Sequence, residues 1–302
     1  MPTDSSKPLE GVDPESVNPE DVDETEVRAA LDSANPMVKQ TGVDVCEALA
    51  ETNVDAVRPL LDDVAALADD DNAAIALRAI AVLDEVVGDE PGALEDRLDG
   101  LVDAADDEVV DVQLTAATAL GKLVVARPDL VAPHAGRLAD AVRVTEPGPG
   151  PEGVGDLVDD QVTQRTIAEH VEGERKRRTS GRRTLVNVVV AVTEEEPEPA
   201  FDAVDELVAL LDDVDPGVAG GAVDALGHLA AADPEVVAPA SDRLVDCLDH
   251  DGTVVRARAV RALGHLGDDA AVPELRRVAD EDDDEDVRAL AAETADFLAG
   301  ES

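Results

Sequence analysis

Six of the 24 basic residues fall within nine positions, Arg175-Lys176-Arg177-Arg178-Thr179-Ser180-Gly181-Arg182-Arg183. Clustered guanidinium groups grip phosphate and carboxylate bidentately, so this segment has the chemistry of a contact for an acidic partner. The rest of the chain pulls the other way. With 71 Asp and Glu and a net charge of -47, the same cations can be consumed internally, as a clamp that folds back on the chain's own acidic surface. The balance of charge favours the clamp. Long nucleic acid is not an expected partner, because the surrounding carboxylates repel phosphate and neither Trp nor Tyr is present for base stacking.

Catalytic constellations are sparse. The histidines are His134, His170, His228, His250 and His265, and none is followed by Glu. His228 and His265 are 37 residues apart, and imidazoles held one helix-packing distance apart, about 10 Å, cannot share one metal. Cys46 and Cys247 lie on apolar helical faces about 200 residues apart, which builds neither a disulfide framework nor a zinc site. The chain has no G-x-S-x-G, P-loop, strand-borne G-x-G-x-x-G or Cys-x-x-Cys. Paired carboxylates are everywhere and single out nothing. The sequence therefore assigns no catalytic residue, no metal and no cofactor, and the expectation is that the protein is not an enzyme.

The elements that must carry these residues repeat. Ala119-Leu120-Gly121-Lys122-Leu123, Ala225-Leu226-Gly227-His228-Leu229 and Ala262-Leu263-Gly264-His265-Leu266 share an A-L-G-x-L pattern. Weaker copies fall at Leu49, Leu83, Val189 and Phe297, and one slot near Leu157 is missing. A helical pattern at this period predicts stacked helix pairs, none of which can bury its apolar face alone. Each anchor is followed by a Pro-bearing opening, Val57-Arg58-Pro59, Val131-Ala132-Pro133, Val237-Ala238-Pro239 and Val272-Pro273. Proline forfeits little at a helix start, so these openings predict second-helix N-termini. Acidic turns such as Asp212-Asp213-Val214-Asp215-Pro216 and Asp249-His250-Asp251-Gly252 separate the units and can cap the next helix.

Acidic turn, Val-Arg (Val255-Arg256, Val287-Arg288), A-L-G-x-L, short break, Pro-led helix: in this order the residues resemble the HEAT repeat, in its short form related to phycobilin-lyase-type repeats. The resemblance spans roughly residues 24–300 apart from one insertion. It implies an all-α, right-handed solenoid of about seven helix hairpins that acts as an interaction scaffold or adaptor. Ala219 and Asp111 stand where the family places Arg, which interrupts any ladder of Asp-Arg bonds. The family relationship also raises a lyase-like, tetrapyrrole-handling role, and the basic segment 175–183 a nucleic-acid-associated one. The hydroxylases of this class hold iron through repeated His-Glu pairs, a motif this chain does not have.

Aligning the second helices on Leu98, Leu138, Leu244 and Val278 places Arg97, Arg137, Arg243 and Arg277 in one column. On a solenoid this column would form a broken stripe along the face lined by second helices, typically the concave one, and could dock a protein. Asp140, Asp246 and Asp280, three residues further on, offer ordinary intrahelical ion pairs instead, and this second use is the favoured one.

The organisation expected is an acidic disordered tail over 1–23, a repeat block over 24–144, a Pro/Gly-rich insertion over 145–182 with a helix from Asp156 and the basic cluster, and a second block over 183–302. The tail lacks the apolar and basic regions of a signal peptide, and no apolar stretch is long enough to cross a membrane. A soluble, cytoplasmic, monomeric protein follows, with a protein as its partner. Extreme acidity combined with 44% hydrophobic residues is not the mark of disorder; it fits a salt-accumulating, haloarchaeal host, where screening removes self-repulsion.

Overall fold

The computed structural model describes residues 22–148 and 161–300, together with Pro8, Leu9 and Val12. Most of the expected acidic tail, the start of the insertion helix at Asp156 and the empty slot near Leu157 lie outside the described residues. Leu9 does not behave as tail: it is buried.

The chain is all-α, and among the described residues there is no strand. The helices are α1 (Glu24–Leu31), α2 (Pro36–Thr52), α3 (Val54–Val57), α4 (Leu61–Ala66), α5 (Ala73–Asp89), α6 (Asp99–Asp103), α7 (Val110–Ala126), α8 (Pro128–Val131), α9 (Ala135–Val144), α10 (Gln161–Glu195), α11 (Val204–Ala209), α12 (Pro216–Ala232), α13 (Pro234–Val237), α14 (Ser241–Asp246), α15 (Thr253–Leu266), α16 (Val272–Glu281) and α17 (Glu285–Ala299). They form two compact units, one of residues 1–130 and 148–181, the other of 131–147 and 182–302. In the first, α2, α5 and α7 stack as successive first helices; in the second, α12, α15 and α17 do. The expected insertion boundary at 182/183 falls inside α10, which runs unbroken past it.

Turn carboxylates and amides start the helices as their chemistry requires. The side chains of Asp23, Asn35, Asn72, Asp215 and Asp284 accept from the first free amides of α1, α2, α5, α12 and α17, each satisfying donors that the helix itself cannot. Counted from these caps, the repeat is more regular than the anchors suggested. Equivalent core positions are Cys46, Leu83, Leu120, Val189, Leu226, Leu263 and Ala295, all buried or nearly so. Cys46 therefore replaces Leu49 as an anchor, and Ala295 replaces Phe297, which is 68% exposed. Leu49, three residues after Cys46, is also buried and keeps a core place without being the equivalent position.

The prolines also sit differently from expectation. Pro59, Pro133 and Pro239 lie inside 3-10 turns at Arg58–Leu60, Ala132–His134 and Ala238–Ala240, one helical turn after their second helices have begun. A proline ring displaces the carbonyl four residues back and donates no amide hydrogen, so the helix tightens at that point and resumes as α4, α9 or α14. Only Pro273 falls in the first turn of its helix, α16.

The glycine of the A-L-G-x-L pattern has a packing cause. A Cβ on Gly227 would sit 3.3 Å from the Ala262 Cβ of α15, so glycine lets α12 and α15 approach closely. Gly100 is tighter still, because a Cβ there would meet the Ala65 carbonyl oxygen at 2.3 Å.

Candidate interaction surface

The basic residues join one hairpin to the next. At the fourth position after the helix cap, Lys39 on α2 reaches Asp70 at 2.7 Å, and Arg256 on α15 reaches Asp282 at 2.7 and 3.0 Å. Arg182 occupies the equivalent place on α10. It is 0% exposed, donates from Nε to the Val142 carbonyl at 2.8 Å and pairs with Asp213, itself 4% exposed. Ala76, Gln113 and Ala219 fill the same position on α5, α7 and α12, so the ladder is interrupted at Ala219 as expected, whereas on α7 the interrupted place is Gln113 and not Asp111, which lies two residues earlier. The substituted Gln113 is fully buried, with its Nε2 lacking a partner.

Arg182 is thus a structural core residue rather than a surface cation. Sequence reading missed this because the neighbouring Arg183 and Arg175–Arg178 made a ladder position look like part of a cluster. Of the others, Arg178 donates to the carbonyls of Glu108 (2.6 Å) and Asp107 (3.3 Å) and to Gln113 Oε1, and burial lowers the pKa of its guanidinium. Arg177 lies 3.4 Å from Asp111, and Arg183 holds Asp215 at 2.9 Å. Burial alone would raise the Asp215 carboxyl, but Arg183 and the amides of Gly217 and Val218 outweigh it, and the net shift is downward. Arg175 and Lys176 meet only Glu172, at 3.9 and 3.4 Å on their own helix.

The arginine column is also occupied, and of its expected partners Asp246 meets its arginine, Arg243. Arg97 pairs with Asp62, Arg243 with Asp212 at 2.6 Å and Arg277 with Asp249 at 2.8 Å, each a carboxylate of the preceding hairpin. Within the helix, Arg243 stands 3.8 Å from Asp246, Arg277 turns back to Glu274 at 2.7 Å, and Asp140 is taken by Arg143. Arg137 lies 3.4 Å from His134 Nδ1. Cross-hairpin pairing prevails because stacked second helices bring residues 28–35 apart to the same height, a proximity that an intrahelical reading cannot register. Arg97, Arg243 and Arg277 remain about one-third exposed.

Among the described residues no group of His, Cys, Asp and Glu is arranged to hold a metal, and no helix is long and apolar enough to cross a membrane. Burial pushes the Cys46 thiol up to about 12 and the Cys247 thiol to about 11, which leaves both protonated and inert.

Residues 204–296 match the family model of HEAT repeats. This segment is similar to HEAT repeats. The fold extends beyond it. The archaeal HEAT-like repeats protein from Thermococcus onnurineus NA1 is 16% identical and covers 93% of this chain and 99% of its own, with a TM-score of 0.53. A designed armadillo repeat protein, 18% identical, covers 81% of this chain and all of its own at a TM-score of 0.41. No curated protein matches. The HEAT segment carries the ladder pair Arg256–Asp282 and the column residues Arg243 and Arg277.

Proposed function

We propose that the chain is a non-enzymatic scaffold that docks another protein, acting as a monomer in the cytoplasm of a salt-accumulating, haloarchaeal cell. The observation that carries this reading is the use of the cations. A stack of hairpins, several of them stapled to a neighbour by a basic side chain, is a device for presenting an extended face rather than for enclosing a substrate. The face lined by second helices is the docking surface. In one unit it offers Arg97 and in the other Arg137, Arg243 and Arg277, among carboxylates, and a partner of mixed charge can exchange pairs with them. Arg175 and Lys176, held only by Glu172, are the members of the basic cluster left for a partner's carboxylate. The engagement of Arg177, Arg178, Arg182 and Arg183 within the fold supports the clamp over nucleic-acid binding by this segment.

The test is affinity capture in near-saturated KCl, with chemical cross-linking before elution. A specific protein recovered in proportion to the bait is the expected result. Recovered nucleic acid, or a pigmented preparation, would overturn the scaffold reading in favour of a nucleic-acid or tetrapyrrole role.

A further inference from the structure

First helices carry a second kind of staple. Arg78 on α5 reaches Asp44 on α2 at 2.9 Å, and Arg258 on α15 reaches Asp224 on α12 at 2.9 Å. Both pairs join the sixth position after one cap to the ninth position after the preceding cap. At the next junction, between α15 and α17, those positions hold Leu290 and Arg261. The donor place has become apolar, and the acceptor place has become a cation. No ion pair joins the two helices at those positions, and a groove of about 500 Å³ lies between them, lined by Val254, Ala257, Val287 and Leu290 together with Arg258, Asp284 and Asp286. Val254 is 62% exposed.

Arg261 stands out within this chain. Among the described residues it is an exposed arginine that makes no hydrogen bond and no ion pair, although Asp224 feels its field. In a protein with a net charge of -47, an arginine that bonds to no carboxylate, in a groove that Asp284 and Asp286 also line, is a half-built contact.

We infer that this groove is a docking site for a helical segment of a partner protein, which lays an apolar side chain over Leu290 and Val254 and supplies to Arg261 the carboxylate that the repeat omits. The inference rests on the scaffold reading and places a site on the first-helix side. From Val254 to Arg261 is about 10 Å along α15, at 1.5 Å per residue, which matches two turns of an opposing helix. The trough covers its occupant from one side only, whereas a small molecule generally needs most of its surface enclosed; a macromolecular segment does not. In molar salt, charge beyond about 3 Å is screened, so the overall acidity does not repel a partner carboxylate that reaches Arg261 directly.

The probe is a set of capped, fluorescent helical peptides with Leu and Glu three, four or seven residues apart, each paired with a Glu→Gln control and titrated by anisotropy in 2 M-range KCl, roughly the regime in which screening is complete. Binding of at least one Leu/Glu peptide is expected, weakened about tenfold by its Gln control and by Arg261→Ala, the scale of one charge-assisted hydrogen bond. Val254→Asp should abolish it, and Arg165→Ala, a cation elsewhere, should leave it unchanged. Both positions are exposed, so folding is not at stake. Absence of binding by every peptide, or equal binding by Arg261→Ala, overturns the inference. So does self-association abolished by Val254→Asp, which would give the groove to a second copy. If a captured partner is retained by both groove variants, the scaffold stands and the groove fails; if no protein is captured at all, the scaffold reading itself falls.

Discussion

Replacing Arg182 with Leu should be the most damaging single change on the inter-hairpin ladder. The side chain is 0% exposed, and its partner Asp213 is 4% exposed. Removal leaves a carboxylate buried without its counter-charge, which costs about 3–5 kcal/mol, against a typical domain stability of about 5–15 kcal/mol. The same replacement at Arg256, where the pair is 14% and 5% exposed, should cost less. At Lys39, where it is 23% and 13% exposed, the cost should approach the value of about 1 kcal/mol for a solvated pair. Urea unfolding at fixed KCl measures the series without adding ionic strength. The Arg182→Leu cost should persist in molar salt, because screening acts on solvent and not on a buried pair.

A double variant sharpens the test. Arg182→Leu with Asp213→Leu removes the stranded charge, so it should lose less than the single change. It should not return to wild type, because the Val142 carbonyl and the Asp215 amide, which donates to Asp213 at 2.9 Å, both lose their partners at about 1–3 kcal/mol each when buried. Equal losses at Arg182 and Lys39, or a double variant worse than the single, would refute the argument that burial sets the value of each rung.

Two further expectations follow from packing and charge. Gly100→Ala should destabilise by about 1–3 kcal/mol, since its Cβ meets the Ala65 carbonyl oxygen, whereas Gly88→Ala on α5, with nothing within 4 Å, should stabilise by about 0.4–1 kcal/mol; thermal melts of both variants check the contrast. The Asp69 carboxyl is raised by burial and then by Asp103, Asp107, Asp106 and Asp71, so its favourable contribution is present below the unfolded carboxylate pKa near 3.9 and is lost as pH rises through its folded value. Asp69→Asn should therefore raise the melting temperature at neutral pH, and the gain should vanish in acid. Asp282, lowered by its bond from Arg256, has the opposite sign: its contribution is present above about pH 3.9 and fades as pH falls through the folded value, so Asp282→Asn should cost stability at neutral pH only.

Much of the architecture was legible because the repeat fixes both helix period and helix starts. Asp215 read as a cap, and Leu120, Leu226 and Leu263 as core, since each follows from a local rule. Cys46, although read as lying on an apolar face, and Ala295 did not read as the anchors, because small side chains carry little hydrophobic signal. Pro59 and Pro239 were placed at helix starts, where proline is least costly, although here the chain accepts a 3-10 turn one turn later. The pairing of Arg97, Arg243 and Arg277 required knowing which residues share a height in adjacent hairpins, and Arg182 required knowing which side of α10 is covered. Spacing of the charged residues alone holds neither. The groove was equally hidden: Leu290 and Arg261 are ordinary residues on an amphipathic helix until they are set beside Asp224 and Arg258.

The carboxylates themselves fall into kinds with different demands for salt. Asp23, Asp215, Asp233, Asp268 and Asp284 cap helices and bind backbone amides, so their charge is compensated within the fold at any ionic strength. Asp70, Asp213 and Asp282 face a buried or half-buried cation and are likewise compensated. What is left is the exposed remainder, including Asp62, Asp212 and Asp249, each more than 70% exposed and met by one arginine that is itself about one-third exposed. There the attraction is weak and the surrounding repulsion long-ranged, reaching about 30 Å at 10 mM ionic strength and about 3 Å at 1 M. A salt requirement, on this argument, resides on the second-helix face and not in the ladder or the caps. The face proposed to dock a partner is then also the one whose charge most needs an outside counter-charge, whether salt or protein supplies it.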